Sequence, residues 1–292
     1  MSLRHPLCRG QRQWPGNAGS TAFPDEASLR KRIGATELTL RWPLEAIWEA
    51  VAPTLPDFTV ELLPTIDSTN TELMRRARAG RIEPVLLVAE TQTAGRGRLG
   101  RDWHSSAAAD PGASLTFSLG LPLQMADWSG LSLAVGVSVV QSLHPALQLK
   151  WPNDVWFQDR KLAGILIETT SVGATRYAVI GVGINVAPHE AIGLGTAPAW
   201  LQELLPGIDA AQTLHRLAAP LVQAVKRFEA QGFAPFLQAF QSRDALAGRS
   251  VSLSDGTTGQ AQGVDGSGAL LVHTSAGLQR ISSSEVSVRP AI

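Results

Sequence analysis

Two short segments concentrate residue types that bind anions. The first, Gln92-Thr93-Ala94-Gly95-Arg96-Gly97-Arg98-Leu99-Gly100-Arg101-Asp102-Trp103, alternates arginine with glycine. Glycine lets a backbone approach a ligand closely and adopt positive φ. Arginine offers a planar fork to phosphate or carboxylate. The second is Lys150-Trp151-Pro152-Asn153-Asp154, followed by Arg160-Lys161-Leu162-Ala163-Gly164. Of 25 basic residues only four are lysine (Lys31, Lys150, Lys161 and Lys226), and two of these fall in this one segment. A lysine kept where arginine is the habit marks a site that needs a compact point charge. A hairpin would bring Lys161 back beside Lys150, and with the arginine loop these ammonium groups suit a polyanion such as a nucleotide. Asn153 could read a base through its amide, and Asp154 could hold Mg2+ or orient a lysine. The glycine spacing is neither a P-loop nor a dinucleotide fingerprint. The plainer alternatives are an arginine/glycine-rich nucleic-acid segment and a solvated polar hairpin.

Two further features border these segments. Gly181-Val182-Gly183-Ile184-Asn185 closes an apolar strand, where glycine is unfavourable unless something packs close to the backbone. Asp67-Ser68-Thr69-Asn70 reads as a helix cap, and a helix N-terminus also presents N–H groups and hydroxyls to a ligand.

The elements that must hold these residues follow from periodicity. Leu44, Ile47, Trp48 and Val51 have helical spacing with Pro53 as a stop. Strands are expected at 58–66, 85–90, 114–119, 147–151, 154–157, 163–169 and 177–185, with a turn at Gln158-Asp159-Arg160. Thr69-Asn70-Thr71-Glu72 resembles a capping box for a helix running to Gly80. Further helices are expected at 128–143, 211–230 and 233–246. After Gly248 short alternating runs, punctuated by Asp255-Gly256, Asp265-Gly266 and Ala276-Gly277, predict four or five strands of a small barrel. Strands adjacent in sequence point to a mixed, largely antiparallel sheet packed by helices. The expected organisation is a poorly ordered arm at 1–41, a catalytic domain at 42–246 and the barrel at 247–292.

Composition narrows the class. The 292 residues are 44% apolar and 17% charged with zero net charge, which favours a compact soluble protein and gives no global attraction for nucleic acid or membrane. Apolar runs such as 131–143 are too short to span a bilayer, and no signal peptide is recognisable. Cys8 is the sole cysteine, so no internal disulfide is possible, and the expected compartment is the cytoplasm.

Taken in order, Ser68-Thr69-Asn70, the Gly95–Arg101 loop, Lys150–Asp154 with Lys161, and Gly181–Asn185 resemble the motifs of bacterial biotin–protein ligases, and the resemblance extends over about residues 42–290. It implies an α/β (α+β) domain with a mixed sheet, similar to class II aminoacyl-tRNA synthetases and lipoate ligases, plus a C-terminal SH3-like β-barrel. It implies an ATP-dependent biotin–[acetyl-CoA-carboxylase] ligase, with biotin, ATP and Mg2+ as its small molecules. Biotinyl-5'-AMP and pyrophosphate form first, and biotin then passes to a lysine of a biotin carboxyl carrier protein. On the family pattern Ser68, Thr69, Asn70, Gln92, Gly95, Arg96, Gly181 and Gly183 bind biotin, and Trp103 walls the apolar side. Arg98 and Arg101 would grip phosphates, and Asn153 and Asn185 would read adenine. Lys161 would bridge the biotin carboxylate and the α-phosphate. Lys150, Asp154 and Arg289 would complete the ATP site, with Glu285 beside them. Trp200, by a lid at 188–198, would close over adenine.

A lipoate–protein ligase of the same fold and a biotin-sensing transcriptional regulator are the alternative readings. Octanoyl transferases use a cysteine, and Cys8 lies outside the core. Leu99 stands where relatives often carry a basic residue. Residues 1–41 lack the paired helical periods of a winged helix-turn-helix, so the expectation is the monofunctional type, with no DNA binding.

Overall fold

The computed structural model describes residues 40–105, 112–189, 197–282 and 288–290. The chain divides into two units, Met1–Gly34 and Ala35–Ile292. The first lies outside the described residues, as do Glu285, most of the segment expected as an arm and part of the expected lid.

Helix α1 (Leu44–Val51) buries Ile47 and Val51 and ends at Ala52, just before Pro53. A seven-stranded sheet follows, built from β1 (Thr59–Ile66), β2 (Val85–Gln92), β3 (Ser114–Pro122), β4 (Gln148–Lys150), β5 (Asp154–Phe157), β6 (Arg160–Val172) and β7 (Thr175–Asn185). Its order is β1-β2-β3-β7-β6-β5-β4. Only β1 and β2 run parallel, joined by α2 (Thr69–Arg78); every other pair is antiparallel. A parallel pair needs a crossover, and α2 supplies it. Gln158 and Asp159 both adopt left-handed φ (50° and 58°), so β5 and β6 are joined by a two-residue turn of the kind that matches strand twist.

Both sheet faces are covered. Leu86, Val88, Leu115, Phe117 and Leu119 join one large core with α3 (Leu131–Leu143) and α4 (Ala210–Gln231). Leu87 and Val179 point the other way and pack with Leu73, Met74 and Ala77 of α2. Helix α3 is apolar nearly all round, as a fully buried helix must be. Among the described residues no helix is long and apolar enough to cross a membrane.

Three local expectations need correction. The cap of α2 is Ser68, whose Oγ accepts from Thr71 N, and Glu72 pairs with Arg75 and Arg76 instead of closing a capping box. Helix α3 begins at Leu131, because Gly130 at φ 80° precedes it in a left-handed conformation. The helix expected over 233–246 is a 3-10 turn at Ala234–Phe236 and a short α5 (Leu237–Gln241). The chain then turns past β4, where Asp244 makes an isolated parallel bridge to Leu149.

The remaining strands are β8 (Ser250–Leu253), β9 (Thr258–Val264), β10 (Leu270–Thr274), β11 (Gly277–Ile281) and β12 (Val288–Pro290). They form an SH3-like antiparallel sheet of order β11-β10-β9-β8-β12. It meets the larger sheet where the buried Trp151 donates its Nε1–H to Gly268 O at 3.0 Å, and where Gly268 packs on Gly130.

Candidate active site

A cleft of about 280 Å³ opens where the N-terminus of α2 meets the ends of β2, β3, β6 and β7. Its floor is set by register. Thr116 of β3 lies opposite Gly183 of β7, which lies opposite Gly164 of β6; Ser118, Gly181 and Leu166 form the next row. The two β7 glycines therefore open a trough in one sheet face. Side chains of this chain fill part of it. A Cβ at Gly183 would collide with the Trp103 indole, and one at Gly181 with Asn70 Oδ1. The close approach that these glycines permit is thus made first by Trp103 and Asn70. Trp103 Nε1 has no hydrogen-bond partner among the described residues.

The arginine loop is a small hairpin. Trp103 N donates to Gly95 O at 2.9 Å, Gly97 N donates to Arg101 O at 2.7 Å, and Arg98-Leu99-Gly100 form the tip. Leu99 sits there at φ 56° and is 57% exposed, so it grips nothing. Arg98 approaches Asn153 Oδ1 at 3.4 Å, and burial pulls its pKa below the usual guanidinium value. Arg96 lines the cleft, but its guanidinium is tied to Glu168, with both carboxylate oxygens at 2.7–2.8 Å.

The catalytic lysine expected at 161 reaches the cleft through a β-bulge. Val155 pairs with Ala163, but Trp156 pairs with Lys161, so one residue of β6 is skipped. Leu162 and Ala163 both enter the large core, and Lys161 turns to the cleft face shared by Gly164 and Leu166. A bulge re-aims a side chain in this way. Lys161 Nζ lies 2.8 Å from Asp154 Oδ1 and 5.9 Å from the centre of the Trp103 indole. Lys150 is buried behind it, 3.8 Å from Asp154 Oδ2 and over the Trp156 ring. Burial lowers the Lys150 pKa; Asp154 opposes this, while Lys161, Arg101 and Arg289 reinforce it.

The cleft brings together Ser68, Thr69, Asn70, Gln92, Arg96, Arg98, Arg101, Trp103, Asn153, Asp154, Lys161, Gly181 and Gly183. Gly95 stays behind the lining, as the hairpin partner of Trp103. Lys150 pairs with Asp154, and Arg289 is near enough to act on Lys150 electrostatically. Asn185 donates to Lys161 O at 3.3 Å, and Ala199 N reaches the same carbonyl at 2.9 Å. Trp200 packs against His189 with ring centres 4.8 Å apart and planes tilted by 60°, and it caps a short turn, outside the cleft lining. The Mg2+ expected at Asp154 does not fit, because that carboxylate is already held by two ammonium groups. No group of three or more His, Cys, Asp or Glu residues converges among the described residues. Ser118 and Glu168 were absent from the sequence reading. Neither has a local signature, since each gains its meaning from a partner distant in sequence.

The geometry suits an acyl-adenylate: a neutral, hydrogen-bonding trough next to a cationic platform. Residues 62–185 match the biotin/lipoate A/B protein ligase family, and residues 248–289 match the biotin protein ligase C-terminal domain. The chain is 36% identical to the bifunctional ligase/repressor BirA of Escherichia coli (strain K12) over 80% of this chain and 74% of that protein. It is 34% identical to the biotin–[acetyl-CoA-carboxylase] ligase of Paracoccus denitrificans over 77% of this chain and 98% of that one. The solved biotin protein ligase from Aquifex aeolicus in complex with biotin and ATP superposes with a TM-score of 0.67 at 30% identity, covering 80% of this chain and 99% of that chain. With this fold, this trough and a relative matched over nearly its whole length, the chain belongs to the biotin protein ligase family.

Proposed function

We propose that this cleft joins biotin to AMP and passes it to a carrier lysine, with the roles distributed as follows. A biotin carboxylate oxygen attacks the α-phosphorus of ATP, the bond to the β-phosphate oxygen breaks, and pyrophosphate leaves. The amine of a carrier lysine then attacks the acyl carbon of biotinyl-AMP. The anhydride C–O bond breaks, AMP leaves and the new amide releases a proton. The first step brings two anions together, so it needs neutralised charge and fixed alignment more than a protein nucleophile. One observation carries this reading. Lys150, Lys161, Arg98, Arg101 and Arg289 act electrostatically on one another or on Asp154, and among the described residues Asp154 is the one anion that acts on Lys150. That excess of cations suits an incoming triphosphate. Lys161, at the boundary of trough and platform, would touch both the carboxylate and the α-phosphate.

Ser68, Thr69, Asn70, Gln92, Arg96 and the backbone of Gly181 and Gly183 would form the biotin end, with Trp103 against its apolar face. Asn153, Asn185, Trp200 and Arg289 would serve the nucleotide. Residues 42–246 would be the catalytic module, and 247–292 a barrel that contributes Arg289. The acceptor is a biotin-carrying carboxylase subunit, of the acetyl-CoA carboxylase type named for the Paracoccus relative. The compartment proposed is the cytoplasm. Residues 1–41 show no paired helical periods, so they are proposed not to form a DNA-binding winged helix. An operator fragment is expected to show no mobility shift at physiological salt.

The decisive test is mass spectrometry of a carrier domain incubated with the protein, ATP, Mg2+ and either biotin or lipoate. A mass gain of one biotin is expected; a gain with lipoate alone, or none, overturns the proposal. Lys161→Ala is expected to abolish biotinyl-AMP formation with little change in thermal midpoint, since Lys161 is partly exposed and its carboxylate partner keeps Lys150.

A further inference from the structure

We propose that Glu168 is a positioning residue that, together with Leu166 O, fixes the hydrogen-bond polarity of Asn70 and its neighbours at the biotin end of the cleft; this rests on the function proposed above. Glu168 lies in β6 but does not line the cleft, whereas Asn70 and Arg96, which it touches, do. Its Oε2 accepts from Asn70 Nδ2 at 2.9 Å, and its two oxygens hold Arg96 at 2.7–2.8 Å.

A carboxylate only accepts, so the Asn70 amide must turn its NH2 toward Glu168. Leu166 O, at 3.3 Å from the same nitrogen, demands the same orientation. Asn70 Oδ1 is thereby committed as an acceptor and lies 2.6 Å from Ser118 Oγ. Ser118 has one hydroxyl proton, and Asn70 Oδ1 claims it. In its contact with Thr69 Oγ1 at 2.7 Å, Ser118 is then left as the acceptor. The Thr69 hydroxyl proton is spent on Ser118, and Gln92 Oε1, 2.8 Å from Thr69 N, is fixed by that backbone donor, with its NH2 turned away from Thr69. The run from Asn70 through Ser118 to Thr69 is thus set from its Glu168 and Leu166 end, and Gln92 from the Thr69 backbone.

The consequence is a wall of defined donors and acceptors. Asn70 offers an acceptor oxygen. Gln92 offers amide hydrogens, and Ser68, whose Oγ accepts from Thr71 N, keeps its hydroxyl proton for a ligand. A cyclic urea presents one carbonyl flanked by two N–H groups, which is the pattern that such a wall can tell from an apolar ring. Without Glu168 the Asn70 amide keeps only the longer bond to Leu166 O, at 3.3 Å, and the Asn70–Ser118–Thr69 part of the wall is held less firmly.

The test is isothermal titration calorimetry of the full chain with biotin alone and with ATP alone. Glu168→Ala is expected to weaken biotin binding by about tenfold or more while ATP affinity stays within about twofold. Glu168→Gln can still offer Oε1 to Asn70 Nδ2 and is expected to bind biotin within about threefold of wild type. Unchanged biotin affinity in Glu168→Ala overturns the inference. So does a parallel loss of biotin affinity, ATP affinity and thermal midpoint, which would mark a general structural role. A Glu168→Gln variant as weak as Glu168→Ala overturns it too, by assigning the effect to the Arg96 ion pair. Absence of biotin binding by the wild-type chain would instead strike the proposed function.

Discussion

At the scale of single residues, the site works by holding charge where charge is unfavourable. Lys150 is 9% exposed, and burial, with three neighbouring cations, depresses its pKa. The unfolded chain therefore binds more protons at this position than the folded one as pH rises toward the ordinary lysine value, and folding stability contributed by this group rises with pH in that window. Lys150→Met removes the buried cation, leaves Asp154 paired with Lys161, and is expected to raise the thermal midpoint at pH 7 by a few degrees, which corresponds to about 1 kcal/mol. The same variant is expected to raise the KM for ATP by about tenfold or more through loss of a charge-assisted contact. Differential scanning calorimetry and a pyrophosphate-release assay check the two halves. A variant that loses stability at pH 7 would show that Lys150 is held mainly as a structural ion pair.

At the scale of elements, positions are fixed by how ends and edges are satisfied. Helix α3 ends at Leu143 with carbonyls that have no helical partner. Arg243, far along the chain, places one guanidinium nitrogen 2.7 to 3.3 Å from the carbonyls of His144, Pro145 and Leu147, just past that end. A cation there also suits the helix dipole. The backbone of the same segment covers β4, the outer strand of the sheet: Leu149 N donates to Arg243 O, and Ala245 N to Leu149 O. Covering an edge strand removes a template for pairing with another chain. Arg243→Ala is expected to cost about 1–3 kcal/mol in urea unfolding, through unsatisfied carbonyls next to the Lys150 strand. Arg243→Lys is expected to recover much of this, because all three carbonyls face one nitrogen and an ammonium carries three donors.

At the scale of the whole molecule, the two sheets behave as one body, and the link between them carries a half-buried acid. Asp244 lies between α5 and β8. Its Oδ1 accepts from Leu246 N at 2.8 Å, and its Oδ2 has no partner among the described residues. Burial raises its pKa to about 6, against the backbone hydrogen bond that lowers it. The folded protein then holds this proton at pH values where the unfolded chain has lost it. Stability falls as pH rises through about 4 to 6, and the loss is complete above that range. Asp244→Asn keeps the acceptor for Leu246 and removes the charge. It is expected to stabilise the protein by about 1–2 kcal/mol at pH 7.5 and to be indistinguishable from wild type near pH 4. Thermal unfolding across that pH range reads both outcomes, and equal stability at pH 7.5 would remove Asp244 from the account. Because Trp151, Gly130 and Gly268 knit the barrel to the larger sheet, a single cooperative transition is expected.

The residues themselves determined the types of most elements and marked Arg96, Arg98, Arg101 and Lys161 as candidate anion-binding groups, which the fold brings to one cleft. Periodicity, punctuation by glycine and proline, and side-chain chemistry are local properties that survive without the fold. They do not contain register. Lys161 faces the cleft because a bulge breaks the alternation of β6 at Leu162–Ala163, a shift that arises only when β5 and β6 pair. Gly181 and Gly183 do make room, as strand glycines suggest, but only packing decided that Asn70 and Trp103 take it. Arg96 was read as a ligand-binding cation, yet its nearest partner is Glu168, which is 72 residues away and unremarkable in sequence. Asp154, a plausible metal ligand on its own, became the counter-ion of two lysines once the hairpin closed. In each case the deciding interaction joins segments distant along the chain, and its partner is set by the packing of the whole sheet.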